Sequence, residues 1–210
     1  MSDNNPKHDL KFICEHYMKN NSGSNNEIEV RFGTQKVRQI TQIDYTNVIN
    51  KIKSIGYSTQ NSFGDHILKI IPYQGDKTSN IRFELSDMQS IQEYCKTNDI
   101  KRILSNNYKI NVMKKINVFH NNKIVPYANF TDFGFRVSYS DETSVQNTSK
   151  IIDNWDTNNK VFRYMNRVSF YNKQSPFRID LSITQMSTGV SMQESNVLSS
   201  VKKYEIEVEL

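Results

Sequence analysis

Two segments, one early in the chain and one late, alternate strictly between charged and apolar positions. Residues 27–32 read Glu-Ile-Glu-Val-Arg-Phe, and residues 204–210 read Tyr-Glu-Ile-Glu-Val-Glu-Leu. Successive side chains of a β-strand point to opposite faces. Each segment therefore predicts a strand with glutamates on one face and apolar side chains on the other.

The density of like charges on these two faces is unfavourable for a strand that only exposes its charges to water. Neighbouring glutamates on one face lie roughly 7 Å apart, given a rise of about 3.3 Å per residue. At an effective dielectric of about 20, each pair repels by about 2 kcal/mol. A solvated face gains by mixing signs. An all-glutamate face instead favours a divalent cation among the carboxylates, and such oxygen ligands suit Mg²⁺ or Mn²⁺.

The candidate strands between these two segments carry mostly basic residues on one face. The charged residues that stand out are Arg82, Arg136, Arg163, Arg167, Arg178 and Asp180, together with Lys114, which follows the strand predicted at 109–112. If these faces line a closed barrel, its lumen has an acidic wall and a basic wall, which could hold a chain of phosphates together with a metal. If they point outward, they form an ordinary mixed surface.

Periodicity and turn residues predict one domain over residues 1–210, of the α+β class and mainly β. Twenty-two Tyr and Phe against 7 Gly and 4 Pro favour strands. Helices are predicted over 6–19, 41–55 (with Thr41 as N-cap) and 86–98 (with Ser86 as N-cap), and 100–104 continues the last of these. Strands are predicted over 27–32, 66–73, 80–85, 109–112, 117–119, 124–127, 133–140, 161–171, 177–184 and 204–210. Turns are predicted at Gly75-Asp76, Asn121-Asn122 and 172–176, and a loop at 20–26. A strand that ends at the last residue suggests a piece of a longer protein.

Several classes of protein are disfavoured. Cys14 and Cys95 are far apart, which argues against a disulfide framework and favours an intracellular protein. No apolar run is long enough to span a membrane, so we expect no membrane partner. The sequence has no Gly-Lys-Ser/Thr loop, and neither cysteine has an arginine six residues on. The net charge of +5 favours polyanionic partners only weakly.

Four motifs together resemble a known family. Glu-x-Glu-x-Arg-Phe-Gly at 27–33 and Tyr-Glu-x-Glu-x-Glu at 204–209 are similar to the paired signature of the triphosphate tunnel metalloenzymes. Asn-Arg-Val-Ser-Phe at 166–170 and Arg-Ile-Asp-Leu at 178–181 resemble their RNA triphosphatase branch, in particular the mRNA capping enzymes of large DNA viruses of the mimivirus and African swine fever virus type. The resemblance covers residues 27–210 and implies a closed eight-stranded antiparallel β-barrel with a few outer helices.

The resemblance also implies roles for particular residues. Five glutamates match the metal-binding and catalytic positions: Glu27, Glu29, Glu205, Glu207 and Glu209. Arg167 matches the phosphate-binding arginine and Asp180 the supporting aspartate of the tunnel. The catalytic set is then Glu29, Glu207 and Arg167. Further phosphate contacts are expected from Arg82, Lys114, Arg136 and Arg163.

The implied activity is that of a metal-dependent RNA 5′-triphosphatase, which removes the γ-phosphate from triphosphate-ended mRNA as the first step of capping, with Mg²⁺ or Mn²⁺. Triphosphate-ended RNA and nucleoside triphosphates are the expected substrates. The sequence lacks Lys-x-Asp-Gly, so guanylyltransferase and methyltransferase domains are expected outside this chain. The expected location is the cytoplasm, in a virus factory or virion. The alternatives are a tunnel enzyme acting on inorganic tripolyphosphate or another small triphosphate, a catalytically dead polyanion-binding module, and a purely structural barrel.

One residue departs from the family pattern. Relatives carry a lysine two residues before the arginine at position 167, and this chain has Met165 there. If Met165 faced the lumen, the tunnel would lack one cation, and Met165→Lys would strengthen triphosphate binding.

Overall fold

The computed structural model describes residues 5–20, 26–33, 39–106, 108–120, 123–125 and 127–210. Its central feature is a closed barrel of eight antiparallel strands, as the family resemblance implies. The order around the barrel is β1-β12-β11-β10-β2-β4-β5-β9, and β9 pairs with β1 to complete the ring. Closure leaves no unpaired edge in the ring.

The strands are much longer on one side of the barrel than on the other. The barrel strands are β1 (Asn26–Phe32), β2 (Asp65–Gln74), β4 (Ile81–Leu85), β5 (Ile110–Asn117), β9 (Phe135–Ser144), β10 (Lys160–Tyr171), β11 (Arg178–Gly189) and β12 (Lys203–Glu209). Four shorter strands lie outside the ring: β3 (Lys77–Thr78), β6 (Phe119–His120), β7 (Lys123–Ile124) and β8 (Ala128–Phe130). The strand β3 pairs with β2, β6 with β7, and β8 with β9.

The helices pack outside the barrel. They are α1 (Pro6–Asn20), α2 (Gln42–Ser54), α3 (Met88–Thr97), α4 (Ile100–Ser105), α5 (Ser149–Ile152) and α6 (Met192–Ser195), with single 3₁₀ turns at Thr131–Phe133 and Val197–Ser199. Thr41 caps α2 in a capping box with Asp44, as predicted. Among the described residues no helix has the length and apolar character needed to cross a membrane.

Some predicted boundaries were wrong. Asp87, not Ser86, caps α3 by accepting a hydrogen bond from the Ser90 backbone N–H. Residues 100–105 form a separate helix, because Asn98 is left-handed and Asp99 starts a new cap. The strands predicted at 109–112 and 133–140 extend to Asn117 and Ser144. The predicted turn at residues 121–122 and most of the predicted loop at 20–26 lie outside the described residues.

Apolar side chains on the outer faces of the strands make the core. Ile28 and Val30 of β1 pack with Ile13 of α1, and Ile206 of β12 packs with Ile52 of α2. A third cluster joins β2, β4 and β10 to α3 and α4 around Trp155. The apolar faces of the two end strands therefore look outward, and their glutamate faces look into the barrel.

Candidate active site in the barrel lumen

The lumen is a cavity of about 570 Å³ lined mainly by charged side chains. Six carboxylates line it: Glu27, Glu29, Glu84, Glu142, Glu207 and Glu209. Eight cationic side chains line it as well: Arg31, Lys69, Arg82, Lys115, Arg136, Arg163, Arg167 and Arg178. This cavity is called the tunnel below. The near balance of the two signs allows so many charges to face each other in a partly desolvated space.

Three carboxylates converge at one wall of the tunnel: Glu207 and Glu209 line it, whereas Asp180 is fully buried and is not among its lining residues. Asp180, Glu207 and Glu209 each offer one oxygen, and the three oxygens lie within 4.8 Å of one another. The register explains this, because Asp180 on β11 lies directly opposite Glu207 on β12. All three side chains are buried. We call Asp180, Glu207 and Glu209 the acidic triad.

Two arginines hold Glu207 between them. Arg31 Nη2 lies 2.5 Å from Glu207 Oε1, and Arg167 Nη2 lies 3.0 Å from Glu207 Oε2. Burial alone would raise the pKa of Glu207, but the charges of Arg31 and Arg167 outweigh it and hold the pKa below its usual value. Glu207 is therefore ionised at neutral pH despite its burial.

Each of these arginines also contacts a second carboxylate. Arg31 Nε lies 2.8 Å from Glu29 Oε1, so Arg31 joins the glutamates of β1 and β12. Arg167 Nη1 lies 3.0 Å from Asp180 Oδ2. The structure thus brings together the three residues predicted as catalytic, Glu29, Glu207 and Arg167.

The opposite wall holds an ion-pair network that the sequence analysis missed. Glu84 contacts Lys69 at 2.9 Å and Arg82 at 2.5 Å, and Arg82 reaches Glu142 at 2.6 Å. Burial opposes ionisation of Glu84, yet Lys69 and Arg82 lower its pKa to about 2. Lys115 lies within 3.7 Å of Glu27 and 3.4 Å of Glu29 and Glu142. Cations of this wall therefore stand across the lumen from the acidic triad.

Not every predicted site residue lines the tunnel. Glu205 lies outside its lining and is hydrogen-bonded to Arg163 and, at 3.1 Å, to Thr184. Arg178 pairs with Glu209 and with Asp180. Lys114 shares the outer strand face with Val112, and its neighbour Lys115 points into the tunnel instead.

Burial and the neighbouring Glu142 raise the pKa of Glu27, with Lys115 opposing them.

The acidic triad fits a hard divalent cation. All three donors are carboxylate oxygens, the ligands that Mg²⁺ and Mn²⁺ prefer. Asp180 Oδ1 is buried and has no hydrogen-bond partner among the described residues. A buried acceptor without a partner costs free energy, so this oxygen is available for a cation.

Met165 does not take the place of a tunnel cation. Met165 shares one face of β10 with Arg163 and Arg167, but its side chain is fully buried and does not line the tunnel. Met165 lies opposite Ile67 of β2, and Lys69, two residues further along β2, supplies an ammonium group to the tunnel. The sequence interpretation of a missing cation is therefore corrected: a lysine is present on the adjacent strand.

We expect Met165→Lys to destabilise the fold rather than improve binding. A buried ammonium would lie close to Arg163, Arg167 and Lys69 without a carboxylate of its own. We expect the free energy of unfolding to fall by about 2–4 kcal/mol in urea denaturation. Met165→Leu, which conserves volume, should cost less than about 1.5 kcal/mol. Equal stability of the lysine variant and the wild type would contradict the placement of Met165.

Comparison with solved structures identifies the fold. The chain superimposes on the RNA triphosphatase domain of the trifunctional mimivirus mRNA capping enzyme with a TM-score of 0.66 and 19% identity, covering 100% of this chain and 88% of that chain. A monoclinic structure of the mimivirus capping enzyme triphosphatase gives a TM-score of 0.63 at 19% identity, with coverages of 100% and 90%. The Pct1 RNA triphosphatase of S. pombe gives a TM-score of 0.54 at 15% identity, with coverages of 100% and 79%.

These likenesses are to structures and not to sequences. No family model matches the chain, and no curated protein sequence matches it. The protein therefore has the tunnel-barrel fold of RNA triphosphatases.

Proposed function

We propose that this protein is a metal-dependent RNA 5′-triphosphatase, which hydrolyses triphosphate-ended RNA to diphosphate-ended RNA and phosphate. The observation that carries the proposal is one lumen lined by eight cationic side chains, with the acidic triad at one wall. A triphosphate needs cationic side chains along its length and carboxylates that can hold a divalent metal at its reacting end, and the barrel offers both. The resemblance of the strand motifs to viral capping enzymes favours RNA as the substrate.

The ion pairs of the tunnel suggest how it accepts such a ligand. Arg31 and Arg167 are held by Glu29, Glu207 and Asp180. A divalent cation competes for the carboxylates and a triphosphate competes for the guanidinium groups. When both bind, the carboxylates exchange the guanidinium groups for the metal, and the guanidinium groups exchange the carboxylates for phosphate oxygens. Neither set of charges is left unpaired. Arginine is suited to this exchange because its planar fork binds phosphate oxygens in pairs.

Asp180, Glu207 and Glu209 would hold the metal. When bound, Mg²⁺ or Mn²⁺ would polarise the γ-phosphate and neutralise its charge. Arg167 stabilises the charge that develops on the transferred phosphoryl group. Glu29 lies across Arg31 from the acidic triad, so its carboxylate can orient the attacking water and accept its proton. The bond between the γ-phosphorus and the β–γ bridging oxygen breaks, and that oxygen leaves with the diphosphate-ended RNA.

Two alternatives are less well supported. A catalytically dead polyanion-binding module would not need to keep a buried carboxylate oxygen without a partner beside its lumen. Inorganic tripolyphosphate would be hydrolysed by the same tunnel groups. It differs from triphosphate-ended RNA only in carrying no nucleotide chain beyond its phosphates. We also propose that this chain is the N-terminal part of a longer capping enzyme.

Phosphate release from γ-labelled triphosphate RNA tests the proposal. We expect release to require Mn²⁺ or Mg²⁺ and to fall to background after chelation with EDTA, with recovery when the metal is returned. Inorganic tripolyphosphate and a nucleoside triphosphate serve as parallel substrates. Release that is indifferent to EDTA would contradict the assignment of the acidic triad. Release from tripolyphosphate but not from RNA would contradict the substrate.

A further inference from the structure

A second cavity, of about 430 Å³, opens beside the tunnel. Arg31 and Arg136 line both cavities, so the two are contiguous. The second cavity lies between the start of β12 and the segment that begins at Gln39. We call it the flanking cavity. Its charge and its apolar surface differ from those of the tunnel.

The flanking cavity carries unpaired positive charge. Lys202 and Lys203 line it, both are exposed, and neither forms an ion pair with a described residue. Arg136 has no carboxylate within 4 Å among the described residues, and its guanidinium lies 5.0 Å from the centre of the Tyr127 ring. The other arginines of the tunnel lining all pair with described carboxylates. Arg136 is therefore ready for an anionic partner at the junction of the two cavities.

The carboxylate of the flanking cavity does not cancel this charge. Glu205 is the acidic residue among its described lining residues, and Arg163 already binds it. With Arg31 shared between Glu29 and Glu207, the charges of Arg136, Lys202 and Lys203 remain in excess. Such a surface attracts phosphate groups.

The flanking cavity also offers surface for a base. Val201 is 82% exposed beside Lys202, and Ile40, which forms a β-bridge with Tyr204, also lines the cavity. The Gln39 side chain in its lining can donate and accept hydrogen bonds. Sites for single-stranded nucleic acid combine cations that follow the phosphate backbone with side chains, most often aromatic, that pack against the bases.

We propose that the flanking cavity binds the first nucleotide of the RNA. Its base lies against Val201 and Ile40, and the phosphate on its 3′ side lies against Lys202 and Lys203. The 5′-triphosphate passes Arg136 into the tunnel. This inference rests on the proposed function and explains how the protein would select RNA over inorganic tripolyphosphate. Tripolyphosphate fills the tunnel alone, whereas an RNA end also fills the flanking cavity.

The double variant Lys202→Ala/Lys203→Ala tests the inference. We expect kcat/KM on a short triphosphate-ended RNA to fall about tenfold and kcat/KM on inorganic tripolyphosphate to change less than about twofold. The magnitude of the slope of log affinity against log salt for the same RNA should fall by about 0.7, since the two lysines together neutralise one phosphate of a single strand. Fluorescence anisotropy of the RNA measures that slope without added metal. Lys96→Ala/Lys101→Ala, on the exposed surfaces of α3 and α4, removes the same charge elsewhere and serves as the control.

Failure of the inference can be told apart from failure of the proposed function. If the wild type releases no phosphate from either substrate, the proposed function fails. The anisotropy then still decides the flanking cavity. Equal losses on RNA and tripolyphosphate, no loss on RNA, or an equal loss in the control variant would each overturn the inference. A loss confined to RNA, with the lower salt slope, would support it.

Discussion

Glu207→Gln is expected to lower kcat/KM for phosphate release from triphosphate RNA by at least about 100-fold. The substitution keeps the size and one oxygen of the side chain but removes its charge. Glu207 belongs to the acidic triad and lies between Arg31 and Arg167, so the change weakens the metal site and the position of both arginines. Steady-state kinetics over a range of Mn²⁺ concentrations measures the loss, which we expect to persist at saturating metal.

The same variant should be less stable. Repulsion between glutamates would predict that removing one of them relieves strain in the fold. The structure reverses this expectation, because Glu207 is 2% exposed and neutralises two partly buried guanidinium groups. We expect the free energy of unfolding to fall by about 2–4 kcal/mol. Glu93→Gln, which breaks a 2.8 Å pair with Arg102 on the outer surface, is the matched control and should leave activity unchanged. Near-normal activity of Glu207→Gln would rule out the acidic triad as the metal site.

Arg167→Lys is expected to lower kcat/KM by about 30- to 100-fold while the protein stays folded. Lysine keeps the charge but cannot contact Asp180 and Glu207 through separate nitrogens as Arg167 does. The remaining ammonium therefore reaches one partner at a time, both in the free tunnel and against a phosphoryl group. Single-turnover kinetics should place the loss in the chemical step.

Arg102→Lys provides the comparison for that variant. Arg102 makes its ion pair with Glu93 outside the barrel, where the same substitution should change kcat/KM less than about twofold. If Arg167→Lys were as active as the Arg102 variant, Arg167 would serve only to balance charge in the lumen, and its assignment to the phosphoryl group would be wrong.

The sequence was most informative where alternation was strict. In the segments at 27–32 and 204–210, every charged residue falls on one face and every apolar residue on the other. The inward direction of Glu29 and Glu207 could therefore be predicted. The same holds for Arg163 and Arg167 on β10. Strict alternation reports the two faces of a strand directly, since a shift of one residue would expose every apolar side chain.

The pattern or the predicted length of a strand explains why Lys69 and Glu142 were missed. Lys69 lies on β2 between Ile67 and Ile71, so its face does not read as charged. Glu142 lies beyond the predicted end of its strand. The strand predicted at 109–112 ended before Lys114 and Lys115. The prediction therefore did not determine on which face of the strand Lys114 lies. Extending the strand would have placed Lys114 on the face of Val112 and Lys115 on the other.

The depth of Met165 could not be found from one sequence either. Alternation assigns a residue to a face but does not say whether neighbouring side chains cover it. In a barrel filled with long arginine and lysine side chains, a short stretch of lumen wall can be covered completely. Whether Met165 is covered depends on contacts among the side chains of three neighbouring strands, and the alternation within one strand does not report those contacts.

The pairing of β1 with β12 has a consequence for how the protein acquires its site. Glu29 on β1 lies opposite Glu209 on β12, 180 positions later in the chain. Contacts of such large sequence separation are slow to form, because a long loop must close before they contribute. Until β12 is made and docked, β1 and β11 each keep an open edge, Glu207 and Glu209 are missing, and Arg31 and Arg167 have no partner there. A metal or a triphosphate therefore cannot assist the early stages of folding. It can only stabilise the completed barrel, so bound ligand should slow unfolding much more than it speeds folding.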